Sequence, residues 1–386
     1  MITNGFTYIA VLVALAGLLV MAEEKTKGKL FAYLPPVVLL YLLAMILCTL
    51  GLWDLKATKP VYGALKNNLL YAMVFLMLLR CDIRQVLRLG PKLLACFFTA
   101  TLTIMIAFVV SYAVMRSYLG EGAWRALAAL CGSWIGGSGN MIAMQAAFHV
   151  PEGPMGYALV VDSINYAIWV MFLLWAVNLA PKFNLWTHAN TAALEETIDK
   201  LDEARQRVST VTFPHLLFLL GLGLVVSFGA QIIGNNLNGY FPIFDKATWT
   251  ILAITIVGPL CAMTPLGRIG GSAMLANVLL YTVIALLASR ASFLELEDAP
   301  FWILTGFLIL AIHGILMVGA AKAFKFDLFT SALASLANIG GTASAPILAG
   351  TYHQALVPVG VLMALLGYII GNLGALIVGN IMALMG

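Results

Sequence analysis

"IGGSGN" at residues 135–140 and "IGGTAS" at residues 339–344 decide how this chain is read. Each puts a glycine pair and small polar side chains in the middle of an apolar run long enough to be a membrane helix. A glycine inside a helix costs roughly 0.5–1 kcal/mol relative to alanine, and hydroxyls and amides find no water in hydrocarbon. A chain that repeats this interruption is using it.

The match extends outward without a gap. Residues 133–156 lie over 337–360 at a constant offset of 204, so that Ile135, Gly136, Gly137, His149, Pro154 and Gly156 meet Ile339, Gly340, Gly341, His353, Pro358 and Gly360. Ser138 meets Thr342, and Phe148 meets Tyr352. Such a repeat in a membrane protein points to transport, because related halves can open one site alternately to either side. Irregular backbone at membrane depth is tolerated only where protein or a water-lined cavity satisfies it. Glycine pairs also serve close helix packing, but packing alone does not require Ser133, Ser138 and Asn140 at one break and Ser335, Asn338, Thr342 and Ser344 at the other. These residues, with Gly136, Gly137, Gly340 and Gly341, are the candidate substrate or ion site.

Composition agrees. Of 386 residues, 62% are hydrophobic and 10% charged, with mean hydropathy +0.98, whereas a soluble domain carries about 25% charged residues. The class is an all-α polytopic membrane protein in a lipid bilayer. The net charge of +4 is scattered, with no basic block suited to nucleic acid. Cys48, Cys81, Cys96, Cys131 and Cys261 show no metal-type pairing and are odd in number, so they are expected as mostly buried thiols. Residues 1–5 hold no basic n-region, so Phe6 to Ala22 is expected to stay as a span.

Apolar runs at 6–22, 34–52, 67–80, 92–115, 124–149, 155–180, 214–236, 247–264, 271–290, 301–323, 328–353 and 356–384 give eleven or twelve transmembrane helices. Residues 1–180 form a first membrane half with the broken helix 124–149, and residues 214–386 a second half with the broken helix 328–353. The linker 181–213 carries Leu194, Ile198, Leu201 and Val208 at amphipathic spacing beside acidic residues; it reads as a surface connector or a regulatory helix. Lys25, Lys27, Lys29, Arg80, Arg84, Arg88, Lys92, Lys322 and Lys325 mark cytoplasmic loops, and the acidic 294–300 suits the outside. Twelve full spans would point both breaks the same way, whereas the charges oppose them. One candidate is therefore re-entrant or interfacial, a span is miscounted, or the repeats are parallel; the charges favour inversion.

Asp162 is the one acid well inside a predicted span. Intramembrane acids usually face a cavity and mark an ion path, so Asp162 is the leading coupling residue, either holding Na⁺ with Ser163, Asn165 and oxygens at the breaks or carrying H⁺. The alternative is a carboxylate near the interface. His313 could relay protons or simply bond a carbonyl. His149 and His353 read as matching helix caps. Gln145 and Asn372 are possible cavity amides, and Trp134, Tyr352 and Tyr368 suit packing or interface anchoring.

"GSWIGGSGN" at 132–140, "VVDSINYAIW" at 160–169, "ASLANIGGTASAP" at 334–346 and "PVGVLMALLGYIIGN" at 358–372 resemble the YjcL-like family of uncharacterised membrane proteins, over nearly the whole chain. That family is similar to the cation:proton antiporter and anion transporter superfamily, which includes bile-acid sodium symporters. The resemblance implies a scaffold domain, a core domain in which two discontinuous helices cross near the midplane, inverted repeats, and possible dimerisation through the scaffold.

The expected function is ion-coupled secondary transport of a small organic solute, as a Na⁺ or H⁺ symporter in the bacterial plasma membrane, without cofactor or enzymatic activity. Cation/proton antiport is the close alternative. A channel or an intramembrane enzyme fits less well, since proteolysis needs a paired acid or a Ser/His dyad.

Overall fold

A computed structural model describes residues 1–26, 36–87, 89–189, 211–241, 246–290, 299–352 and 356–386. Among the described residues the chain is helical throughout, with a single isolated bridge between Ile2 and Trp53. In chain order the helices are α1 (Gly5–Thr26), α2 (Pro36–Thr49), α3 (Leu55–Leu78), α4 (Ile83–Leu87), α5 (Gly90–Leu119), α6 (Ala123–Gly136), α7 (Ser138–Ala147), α8 (Glu152–Ala176), α9 (Ala180–Thr187), α10 (Phe213–Tyr240), α11 (Lys246–Ala262), α12 (Ser272–Ala288), α13 (Ala299–Phe324), α14 (Leu328–Ile339), α15 (Gly341–Tyr352) and α16 (Val357–Ala383).

Seven of these helices are long and apolar enough to cross a membrane. Their outer surfaces carry exposed Leu18, Val225 and Ile315, the pattern of helices whose solvent is lipid rather than water. The run at 67–80 is the end of a longer helix: α3 starts at Leu55, where Asp54 accepts from the amides of Lys56 (2.7 Å) and Ala57 (2.9 Å), and so carries Lys59 and Lys66 within it. That cap supplies acceptors for two otherwise orphaned helix-start donors.

The two interrupted segments are not straight. Twenty-four residues of helix separate ends by about 35 Å, yet Trp124 at the start of α6 packs edge-on against Phe148 just beyond α7, with ring centroids 5.5 Å apart. In the second segment Phe329 and Tyr352 meet at 4.3 Å. Each pair therefore folds back on itself, α6–α7 as hairpin A and α14–α15 as hairpin B. The expectation of two discontinuous helices crossing near the midplane is corrected here: each glycine pair reverses the chain instead of letting it run through. The apolar runs 124–149 and 328–353 fold back instead of running through, and the expected eleven or twelve transmembrane helices become seven long helices, the shorter apolar α2, α11 and α12 of 14 to 17 residues, and two hairpins among the described residues.

Contacts assign the termini and the hairpin mouths to two faces. Lys92, near the start of α5, pairs with Asp327 at the mouth of hairpin B (3.3 Å). At the other end of this 30-residue helix, Arg116 donates to the carbonyl of Met385 at the C-terminus, and the mouth of hairpin A follows after Leu119. Tyr8 near the N-terminus bonds Ser289, and Trp53 donates to the Ser289 carbonyl (2.9 Å). Tyr118 stacks on Phe301. Both termini thus lie at one face, the terminal face, with the mouth of hairpin A; hairpin B opens on the opposite, far face. This removes the parity conflict, because neither interrupted segment crosses.

The helices sort into two bundles. α1, α2, α3, α10, α11 and α12 pack among themselves, as do α5, hairpin A, α8, α13, hairpin B and α16. The first set holds the first three crossing helices of each half, and the second set holds the rest. No disulfide joins the cysteines, and Cys81, Cys96 and Cys131 are buried. The amphipathic spacing at 194–208 and His353 lie outside the described residues.

Candidate functional site

The hairpin tips are built alike. In each glycine pair the first residue permits close approach and the second permits a turn at positive φ. A Cβ on Gly136 would stand 2.5 Å from the Gly367 carbonyl oxygen, and one on Gly340 would stand 1.8 Å from Ser344 Oγ and 2.9 Å from the Tyr166 ring. Gly137 has φ +86° with ψ 176°, and Gly341 has φ +58°, positive-φ conformations that glycine adopts without the Cβ penalty of other residues. The inbound arms are 14 and 12 residues long, so the tips reach about 20 Å from opposite faces at ~1.5 Å per residue and meet inside the second bundle.

Between the tips lies a cavity of about 280 Å³. From the sequence-predicted set it is lined by Ser133, Gly137, Ser138, Asp162, Gly340, Gly341 and Thr342. Its far-face wall comes from the bundle of α1, α2, α3, α10, α11 and α12, through Val37, Val38, Met77, Asn277 and Leu280. The first residues of α7 and α15 border it, so helix-start amide donors and hydroxyls face the same hollow.

Asp162 on α8 is held by hairpin A. Ser133 Oγ donates to Oδ2 (3.1 Å) and Trp134 Nε1 donates to Oδ1 (2.8 Å). Two acids at helix ends differ. Asp327 pairs with Lys92, and at the far-face turn Arg84 donates to Asp82 (2.9 Å) and holds that carboxyl below the usual carboxylate range. Among the described residues no cation pairs with Asp162.

The remaining predicted residues support the tips from behind. Asn140 donates to the Tyr368 carbonyl and to Asn372 Oδ1 (both 2.9 Å), and Asn372 donates to Thr255 on α11 (3.1 Å). Asn338 accepts from Thr101 on α5 (2.8 Å). Ser344 packs behind Gly340. Asn165 turns to the Ile303 carbonyl on α13 (3.3 Å). Gln145 sits near the mouth of hairpin A, its amide 3.5 Å from the Val150 carbonyl, and His149 follows α7 with φ +50°.

His313 and Ser335 lie apart from the cavity in a closed chain of bonds. Trp169 Nε1 donates to Ser335 Oγ (2.9 Å), Ser335 lies 2.8 Å from His313 Nε2, and Thr103 Oγ1 lies 2.9 Å from Nδ1 and 2.8 Å from the Ala100 carbonyl. A neutral imidazole protonated on Nδ1 satisfies every member, with Ser335 and Thr103 donating onward. The chain is a structural clamp between α8, α13 and hairpin B.

A family model described as "Protein of unknown function (DUF819)" matches residues 10–385. The chain belongs to the DUF819 family. A relative, the uncharacterized membrane protein YjcL of Bacillus subtilis (strain 168), is 23% identical over 357 residues, which cover 87% of each chain. In this DUF819 protein, sequence reading missed the roles of Trp134, Tyr166, Tyr368 and Asn277 at the cavity. Trp134 was legible as the neighbour of a break; Asn277 comes from a remote helix with no local signal. Tyr368 bonds Thr342 (2.8 Å) and sits within Gly367 to Gly371, a small-xxx-small spacing that lets α16 meet the backbone of hairpin A.

Proposed function

We propose that this DUF819 protein is a secondary active transporter that moves a small organic solute by alternating access, coupled to Na⁺ or H⁺ through Asp162. The observation that carries the reading is one polar cavity to which two hairpins from opposite faces both give their tips, and whose single carboxylate has no basic partner among the described residues. A carboxylate in such a place is expensive unless a cation or proton joins it when the cavity closes. A hard monovalent cation would find oxygen ligands at Asp162, Ser133, Ser138 and Thr342. With one carboxylate and otherwise neutral oxygens, this donor set suits Na⁺ better than a divalent metal.

The opposed mouths support reading the halves as inverted repeats, each with five crossing helices and one hairpin. That arrangement, and the likeness to cation:proton antiporters and bile-acid sodium symporters, enters as part of this proposal. In this conformation the cavity lies on the far-face side of the tips. Toward the terminal face the bundles are clasped: Tyr41 on α2 donates to the Glu152 carbonyl at the start of α8 (2.6 Å), and Tyr62 on α3 donates to its carboxylate (3.3 Å). Alternating access requires this clasp to part as the far side closes. Lys25, Arg80, Arg84, Lys92, Lys322 and Lys325 border the far face, which supports reading that face as the cytoplasmic one in a bacterial plasma membrane.

The test is flux in proteoliposomes over a panel of amino acids, carboxylates, nucleosides and organic amines, with Na⁺ and pH gradients imposed separately. Solute uptake that follows one gradient, and that fails in Asp162→Asn, supports the reading. Gradient-driven uptake that is normal in Asp162→Asn removes the residue from coupling. Cation exchange for protons without any solute makes the protein an antiporter, the second reading that the lone acid favours.

A further inference from the structure

A second cavity, of about 150 Å³, lies outside the tip site, between α8, α9, α13 and the inbound arm of hairpin B. Its wall holds Phe172, Leu173, Phe183, Met317 and Val318, and its inner end is closed by Trp169, His313 and Ser335. The polar atoms at that end are already committed. Both nitrogens of His313 are engaged, Ser335 bridges His313 and Trp169, and Ser331 donates to the Asp327 carbonyl (2.9 Å). A polar ligand would find no partner there, whereas apolar cavities of about this size stay dry and take up hydrocarbon. Phe172, Leu179 and Val318 at the rim are exposed, so the cavity opens sideways toward lipid.

The rim also says which lipid. α9 lies at the far-face mouth, with exposed Leu185 and Trp186, and Lys322 crosses the Trp186 ring at 5.0 Å. Lys182 lies one turn before Trp186 on α9, Lys322 donates to the Trp186 carbonyl, Lys325 follows the end of α13, and none has a carboxylate partner among the described residues. Lysines without a carboxylate partner at a membrane interface attract anionic headgroups.

We propose that the cavity holds one acyl chain of an anionic phospholipid from the leaflet at the far face, with its phosphate at Lys182 and Lys322. The chain lies against the arm of hairpin B and fills space that side chains leave open, so the lipid is a structural ligand of the hairpin whatever the tips transport.

The full-length protein, purified in mild detergent, is delipidated and titrated with phosphatidylglycerol or phosphatidylcholine of identical chains, and bound lipid is counted by native mass spectrometry. One tightly retained phosphatidylglycerol is expected, with weaker retention of phosphatidylcholine. Val318→Trp, at an exposed rim position, should remove that lipid, while Lys182→Gln with Lys322→Gln should erase the headgroup preference and leave chain binding. Because a variant could lose lipid by misfolding, the second readout is made on the unaltered protein: acyl-brominated phosphatidylglycerol should quench tryptophan fluorescence saturably at one equivalent. Equal retention of both lipids by the unaltered protein, an unchanged count in a folded Val318→Trp protein, or quenching that never saturates would each overturn the proposal.

Discussion

Hairpins A and B share a backbone device and differ in chemistry. Both reverse at a glycine pair whose first member admits a close neighbour and whose second turns at positive φ. At the offset of 204 that superposes the tips, however, Asp162 falls on Leu366, Ser133 on Ala337 and Trp134 on Asn338. The carboxylate and both of its donors thus belong to the first half alone. Hairpin A is also tied across the bundle boundary, through Asn140, Asn372 and Thr255 to α11. Hairpin B is tied inward, through Asn338 to Thr101 on α5. The comparison teaches that the duplicated feature is the path of the main chain, while the charge that a cation would meet is placed once.

The largest contrast to test is geometric. Cysteine pairs at Trp124 and Phe148, and at Phe329 and Tyr352, should each be joined by a short bifunctional thiol reagent in the membrane, because straight helices would hold them about 35 Å apart. Absence of both crosslinked peptide pairs in mass spectra of the digested, denatured protein would break the hairpin description. The asymmetry of charge comes next. Asp162→Asn should lower gradient-driven flux about 10–100-fold, in line with ~1.5–3 kcal/mol for interactions of a charged group, whereas Leu366→Asn at the matching position should leave coupling to the gradient in place.

Smaller effects sharpen the account of the tips. Gly136→Ala meets a carbonyl oxygen of α16, while Gly340→Ala meets the movable Ser344 hydroxyl before the Tyr166 ring. Overpacking costs about 1–3 kcal/mol, so both should melt at lower temperature, Gly136→Ala by more; the reverse order would mean that backbone contact with α16 is not what hairpin A depends on. Smallest is Tyr62→Phe, which removes one bond of the terminal-face clasp worth about 0.5–1.5 kcal/mol. It should raise labelling of a cysteine at Ser133 by an impermeant thiol reagent applied from the terminal face by a few-fold, with little change in melting temperature.

Much of this was legible. Apolar runs located every crossing helix, since a membrane span must be long and nearly free of charge. The repeated glycine pairs marked both tips, and the expense of a buried acid singled out Asp162. Start positions were less legible: α3 begins twelve residues before its apolar run, because the Asp54 cap outweighs the cost of Lys59 and Lys66 near the interface. Polar residues near the breaks could not be sorted by type. Asn140 and Asn338 brace the tips and Ser335 joins the His313 clamp, while the equally modest Ser133 reaches Asp162. Side-chain direction depends on which neighbour offers an acceptor, and those neighbours are remote in sequence.

By itself the sequence determined that the chain lives in lipid, that it is interrupted twice in the same manner, and that one acid lies deep among its helices, because these follow from transfer energies and local backbone freedom. Only the tertiary structure decided that each interruption is a reversal. A glycine pair frees the chain to turn but does not choose the angle; that choice belongs to packing, where Trp124 closes on Phe148, Phe329 on Tyr352, and α16 presents glycines narrow enough to receive hairpin A.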